Sequence, residues 1–147
     1  MTGLAFTVIG TPAPQGSKRH VGNGRMVESS KAVQPWRDSV AWAARARANA
    51  TGTRPLEGPL HVDIRFRLPM PKSRKAADHR RGWAWSERKP DLDKLTRSTL
   101  DALTTSGVIG DDAQVAMLTV DKCEIATDSG VPLGASIQIR PATPYED

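Results

Sequence analysis

Four aspartates are the residues in this chain whose types and spacing best suit chemistry: Asp91 and Asp93, spaced D-x-D, then the adjacent pair Asp111 and Asp112. Carboxylates gathered at the two ends of one short helix-and-turn unit repel one another in any partly buried site. Either they point apart, or a bound cation holds them together. A hard divalent cation takes carboxylate oxygens, and none of the three histidines is close in sequence. On a basic chain, the pattern implies metal-assisted chemistry on a phosphodiester.

The competing assignment is structural. A carboxylate at a helix start can cap free N–H groups and is favoured by the helix dipole, so one of Asp91 and Asp93 could serve only as an N-cap. Three features favour the cation. In an extended entry segment, residues i and i+2 point the same way. The second acidic pair follows one helix and one turn later, where the chain can fold back beside the first. A basic protein also suits a polyanion whose phosphates Mg²⁺ would bridge.

The element that must position these groups is a helix over about Leu92 to Ser106. Leu92, Leu95, Leu103 and, at the margin, Leu100 fall on one face, and Gly107 stops it. Lys94 and Arg97 lie on its exposed side. Arg97 follows Asp93 by one turn, so it could hold a carboxylate or stabilise charge developing on a phosphate.

Around that unit, Leu60 to Leu68 alternates cleanly, with Leu60, Val62, Ile64, Phe66 and Leu68 on one face and His61, Asp63, Arg65 and Arg67 on the other. It reads as a half-buried strand, in a sheet with one covered face or at an edge. Leu4 to Ile9 is a first strand. Gln34 to Ala50 is a helix whose Trp36 and Val40 face the core, while its arginines are solvated. Val115 to Ile125 and Leu133 to Ile139 read as two strands joined by a turn into a hairpin. The tail from Pro141 to Asp147 is expected to fray.

Basic residues concentrate in two places. The loop GTPAPQGSKRHVGNG carries Lys18, Arg19 and His20 beside Gly16, where side chains and open backbone N–H groups could contact phosphate. The run from Met70 to Lys89 holds seven cations (Lys72, Arg74, Lys75, Arg80, Arg81, Arg88, Lys89) against Asp78 and Glu87. That excess of +5 equals the formal net charge of the whole chain. Trp83 and Trp85 lie inside this run, and a basic segment with interleaved aromatics can hold phosphates and stack on bases. The plainer alternative is a solvated loop whose tryptophans cover the edge of the core.

The chain's 147 residues make one domain, residues 1–147, with room for a real core. Its 21 Lys plus Arg against 16 Asp plus Glu make nucleic acid or an acidic membrane surface the default partner. Cys123 is the only cysteine, which excludes an intrachain disulfide and a thiolate zinc cluster; no disulfide-linked partner is expected. No apolar run approaches a membrane span, and MTGLAFTVIG lacks the basic start of a signal peptide, so a cytoplasmic protein is expected.

KPDLDKLTRSTLDALTTSGVIGDDAQV, residues 89–115, resembles the signature of the RusA family of Holliday-junction resolvases, in which a K-P-D-x-D-N-L-x-K helix leads through L-D-A-L to a D-D-x-Q-V turn. The resemblance extends more loosely to the Gly10–Arg19 loop and to Lys122. It implies a small α/β (α+β) domain with a mixed sheet and packed helices, acting as a homodimer. The implied activity is symmetric nicking of four-way DNA junctions with Mg²⁺, for which Mn²⁺ could substitute. Carried over by motif position, the metal ligands are Asp91, Asp93 and Asp112, with Asp111 as a neighbour. Lys94, Lys122 and the two basic stretches would contact DNA. The family lysine falls at Arg97 and the family asparagine at Lys94. Arginine cannot give up its proton, so Arg97 could act only as a fixed charge, or Lys94, which points elsewhere on the helix, could supply the ammonium instead. The host would be a bacterium or, for a phage gene, the infected cell. A non-catalytic DNA-binding module is the alternative. A sugar-nucleotide transferase with a D-x-D site is disfavoured by the absence of a nucleotide-binding βαβ pattern.

Overall fold

The alternation in Leu60–Pro69 (β4) sets the architecture. Leu60, Val62, Ile64, Phe66 and Leu68 are all buried, so this strand directs an unbroken apolar row at a packed layer. A computed structural model describes residues 3–16, 18–20, 26–28 and 31–146, with backbone only at 18–20 and 26–28. β4 is no edge. In the five-stranded sheet, Leu4–Ile9 (β1), Gly134–Pro141 (β7), β4, Val115–Ile125 (β6) and Trp83–Trp85 (β5) lie side by side in that order. β6 runs parallel to β4 and every other pairing is antiparallel, so the sheet is mixed.

Two helices cover the apolar face. Val33–Thr51 (α1) contributes Trp36, Val40, Ala44 and Ala48, and Leu92–Ser106 (α3) contributes Leu95, Ala102 and Leu103. Burying each large side chain contributes roughly 1.5–3 kcal/mol. Where the helices meet, the Trp36 indole N–H donates to Thr99 Oγ1 at 3.1 Å, so the buried ring leaves no unsatisfied donor. α3 ends at Gly107 with φ of 82°, a conformation that favours glycine over any residue with a Cβ. The opposite face of β4 is polar and cross-linked along the sheet. Arg65 holds Asp121 through two hydrogen bonds of 2.8 and 2.9 Å, His61 meets Thr119 at 2.9 Å, and Arg140 donates to Asp63.

Two expectations need correction, the hairpin and the reading of the early Gly/Pro stretch as all loop. β6 and β7 form no hairpin: β7 carries the buried Ala135, Ile137 and Ile139 and is inserted between β1 and β4. A Cβ at Gly134 would run into the Val8 carbonyl oxygen, so β7 enters beside β1 on a glycine. The early Gly/Pro stretch is not all loop, because Lys18–His20 (β2) pairs antiparallel with Met26–Glu28 (β3). The basic run contains Ala76–Arg81 (α2) and the edge strand β5. Pro141 completes β7, and Ala142 N–H still donates to Pro59 O before the tail continues without regular structure. Among the described residues, no helix is long and apolar enough to cross a membrane.

Candidate active site

The segment from β5 to α3 is held from below by Lys122. Its side chain leaves β6 on the covered face, and its ammonium donates to Arg88 O at 2.6 Å and Pro90 O at 2.8 Å. Ser86 N–H donates to Lys122 O, and the Lys89–Pro90 peptide is cis. Lys122 thus ties down the acidic entry, its ammonium engaged by two carbonyls. From the other side, the Pro-rich loop after β1 lies across the first turns of α3. Ser98 Oγ donates to Ala13 O at 2.7 Å and Gln15 N–H donates to Lys94 O at 3.0 Å. Between loop and helix lies a cleft of about 570 Å³ lined by Pro12, Gly16, Lys89, Pro90, Asp91 and Lys94.

Asp91 occupies the N-cap position, yet its carboxylate makes no capping hydrogen bond. It lies 3.3 Å from Lys89 Nζ and 3.8 Å from Lys94 Nζ, still well exposed. Asp93 is exposed in the first turn with no described partner, as is Arg97 one turn further on. Two carboxylates at the positive end of a helix, neither closing a backbone N–H, are available to a ligand.

The second acidic pair is built differently. Asp111 caps the short turn Asp112–Gln114, its Oδ1 accepting from Ala113 N–H at 3.1 Å. Gln114 completes a capping box by accepting from Asp111 N–H, and it donates to Leu56 O and Gly58 O, tying the turn to the approach of β4. The Ala113 N–H holds the Asp111 carboxyl below its ordinary value, helped by a hydrogen bond from Asp112. The same Asp111 contact, then burial and the charges of Asp111 and Asp101, push Asp112 up. Asp101 was not singled out by its sequence alone, although it stands in the L-D-A-L stretch. It lies two turns, about 12 Å, beyond Asp93 along α3. Among the described residues no three His, Cys, Asp or Glu side chains form a group able to hold a metal ion. Asp91, Asp93 and Asp112 therefore do not converge in this arrangement.

The basic run divides in the same manner. Arg74 points inward, donating to Glu124 Oε1 and Trp85 O at 2.8 Å each and pairing with Asp78. The hydrogen bond to Glu124 raises its pKa further. Glu124 is only 2% exposed and also pairs with Arg88 at 3.4 Å. Arg74 is accordingly a structural clamp and not a free phosphate contact, a role its sequence context hides because the partner is fifty residues away. Arg81 pairs with Asp78 and donates to Trp83 O. Lys72, Lys75 and Arg80 are exposed with no described partner, and Lys89 and Lys94 flank Asp91. Lys18 and Arg19 sit on β2, but their side chains lie outside the described residues.

A small mixed-sheet α/β domain that carries uncapped acids on one helix and a tied acidic turn after it, with a basic flank, has the make-up of a nuclease. The family model "Endodeoxyribonuclease RusA" matches residues 9–139, and the chain belongs to that family of Holliday-junction resolvases. It is also 31% identical over 126 residues, 81% of this chain and 86% of the relative, to a protein of Bacillus subtilis strain 168 that carries the name "Uncharacterized protein YqaN".

Proposed function

We propose that this chain is a structure-specific endodeoxyribonuclease that resolves four-way DNA junctions by paired, symmetric nicks, acting as a homodimer with Mg²⁺, or with Mn²⁺ in its place. The observation that carries this reading is the entry pair: in a member of a nuclease family, Asp91 and Asp93 stand at a helix start without capping it, beside an open cleft. The donor chemistry fits a hard cation, since all candidates are carboxylate oxygens. Asp91, Asp93 and Asp112 would hold it, which requires the acidic turn and the helix start to draw closer than in the arrangement described above; Asp111 chiefly keeps the turn in shape. When bound, the cation supplies an activated water and neutralises charge at the scissile phosphate.

The chain's own groups do the rest. Lys89 and Lys94 bring positive charge to the backbone beside Asp91. Arg97, always protonated, is a fixed charge for the phosphate and never a base. Lys122 holds the entry segment so that Asp91 keeps its place. Lys72, Lys75 and Arg80 extend the contact to flanking DNA, as do Lys18 and Arg19 of β2 in this proposal. Symmetric nicking needs two sites related by a twofold axis, which a C2 dimer provides. The products would be 5′-phosphate and 3′-hydroxyl ends, in the cytoplasm of a bacterium or of a phage-infected host.

Cleavage of a synthetic four-way junction with and without Mg²⁺, alongside a sizing measurement, tests the reading. Paired nicks from wild type, with Asp91→Asn and Asp112→Asn binding but not nicking, are the expected result. Binding without nicking under any divalent ion would instead establish a non-catalytic DNA-binding module.

A further inference from the structure

Trp83 and Trp85 play no part in the acidic site, yet the fold presents them with care. They alternate with buried Ala84 on β5 and pair with Ile125 and Cys123, which places both indoles on the sheet face that carries Arg65 and Arg67. Trp83 is 39% and Trp85 54% exposed, unusual for the largest apolar side chain. Their rings meet edge to face with centroids 5.3 Å apart. Arg81 lies over Trp83 at 5.0 Å and Arg65 over Trp85 at 5.7 Å, each guanidinium anchored by its own carboxylate, Asp78 and Asp121. The cleft they border is about 540 Å³, within the range that accepts small ligands, and its lining holds three arginines and no carboxylate.

Arg67 supplies the second observation. It is 9% exposed and donates only to neutral oxygens, Pro132 O at 2.8 Å and Ser136 Oγ at 2.7 Å. No described carboxylate offsets its charge, so an anion entering the cleft meets a held, uncompensated cation. Aromatic faces, stacked guanidiniums and a cation for a phosphate are together the chemistry that recognises a nucleotide.

We infer that this cleft is a stacking site for an unpaired nucleobase of the DNA, with Trp85 and Trp83 receiving the base and Arg67 its phosphate. The inference rests on the reading of the chain as a nuclease of branched DNA, whose exchange point offers bases that can leave the stack. Position supports it: six residue steps, at most about 20 Å of chain, separate Trp85 from Asp91. Ser86 and Lys122 tie that connection down. A strand passing around the edge of β5 would therefore have a base on one side of the sheet and a backbone phosphate near the acids on the other.

The test uses the intact protein without divalent ions, a four-way junction bearing 2-aminopurine at the exchange point, the corresponding duplex, and a short oligothymidylate. Wild type should alter the 2-aminopurine emission on binding. Trp85→Ala should abolish that change and weaken binding to junction and oligothymidylate roughly 5- to 150-fold, the range found for loss of one base–aromatic stack. Duplex affinity should move little, and Trp85→Phe should restore most of the loss. If Trp85→Ala binds all three as wild type does, with the emission change intact, the stacking site is wrong while the nuclease reading stands. If Trp85→Ala instead turns a dimer into a monomer on sizing, the cleft is covered by a second copy and the inference falls. Absence of binding to any of the DNAs would overturn the nuclease reading and this site together.

Discussion

At the start of α3, Asp91 and Asp93 leave the backbone N–H groups alone, and only lysine ammoniums approach Asp91. Past the end of the same helix, Asp111 is bound into a capping box while Asp112 shares a hydrogen bond with it. Four aspartates of like chemistry are thus held in opposite ways. One pair is exposed at the positive end of a helix with little structural duty. The other is divided between a residue that shapes the turn and a residue raised by its neighbour. Function and stability should separate accordingly, since a group that closes no backbone hydrogen bond can be changed without loosening the fold.

The largest expected effect lies at the entry pair. Asp91→Asn and Asp93→Asn should each lower junction nicking by more than about a hundredfold, the upper range for losing even an indirect partner of a metal ligand. Thermal stability should stay within roughly 0.5 kcal/mol of wild type, as for other surface changes. A clear fall in melting temperature in either variant would mean the entry pair has a structural duty, and the contrast with the turn would disappear.

Next comes the group that holds the entry pair in place. Lys122→Met removes the ammonium shared by Arg88 O and Pro90 O and should cost roughly 1.5–3 kcal/mol, the scale of hydrogen bonds to a charged group. Nicking should fall through misplacement of Asp91, while DNA binding falls much less. Denaturant unfolding and a binding titration on the same variant check both. A loss of binding as large as the loss of nicking would place Lys122 on the DNA surface.

How far such roles can be read from residues alone depends on whether their partners are local. α3 and its stop at Gly107 are legible because periodicity and a helix-ending glycine are both written within fifteen residues, and β4 because its alternation spans the whole strand. The position of β7 is not. Its buried Ala135, Ile137 and Ile139 call for a neighbour on each side, but nothing in the segment says that these are β1 and β4 instead of the preceding strand. β5 offers only Trp-Ala-Trp, one alternation, too short to distinguish from a loop. Arg74 resembles its exposed basic neighbours until the fold brings Glu124 beneath it. At the site, the types and the D-x-D and D-D spacings are local and legible; which aspartate caps, and that Asp101 acts on Asp112, depend on how the turn folds back.

A smaller effect sharpens the contrast within the turn. Asp111→Ala removes the acceptor for Ala113 N–H and should lower the melting temperature slightly, whereas Asp111→Asn keeps an acceptor and should lower it less. Equal losses in the two variants would show that the charge of Asp111, and not its cap, holds the turn.

The smallest effect is a titration. Asp112 binds its proton more tightly folded than unfolded, because the hydrogen bond with Asp111 favours the protonated form. Its contribution to stability is therefore complete below the unfolded pKa and is lost as pH rises through the folded one. Asp111, lowered chiefly by Ala113 N–H, has the opposite sign: its contribution is present above the unfolded pKa and is lost as pH falls through the folded one. The two oppose each other in any global unfolding curve, so carboxyl NMR on the metal-free protein is the measurement that resolves them. Asp112 should titrate above Asp111 there. In Asp111→Asn the largest cause of the Asp112 shift is removed, and Asp112 should return toward the ordinary aspartate value. An Asp112 that stays raised in that variant would assign the effect to burial and Asp101, making the turn acids independent of one another rather than a pair.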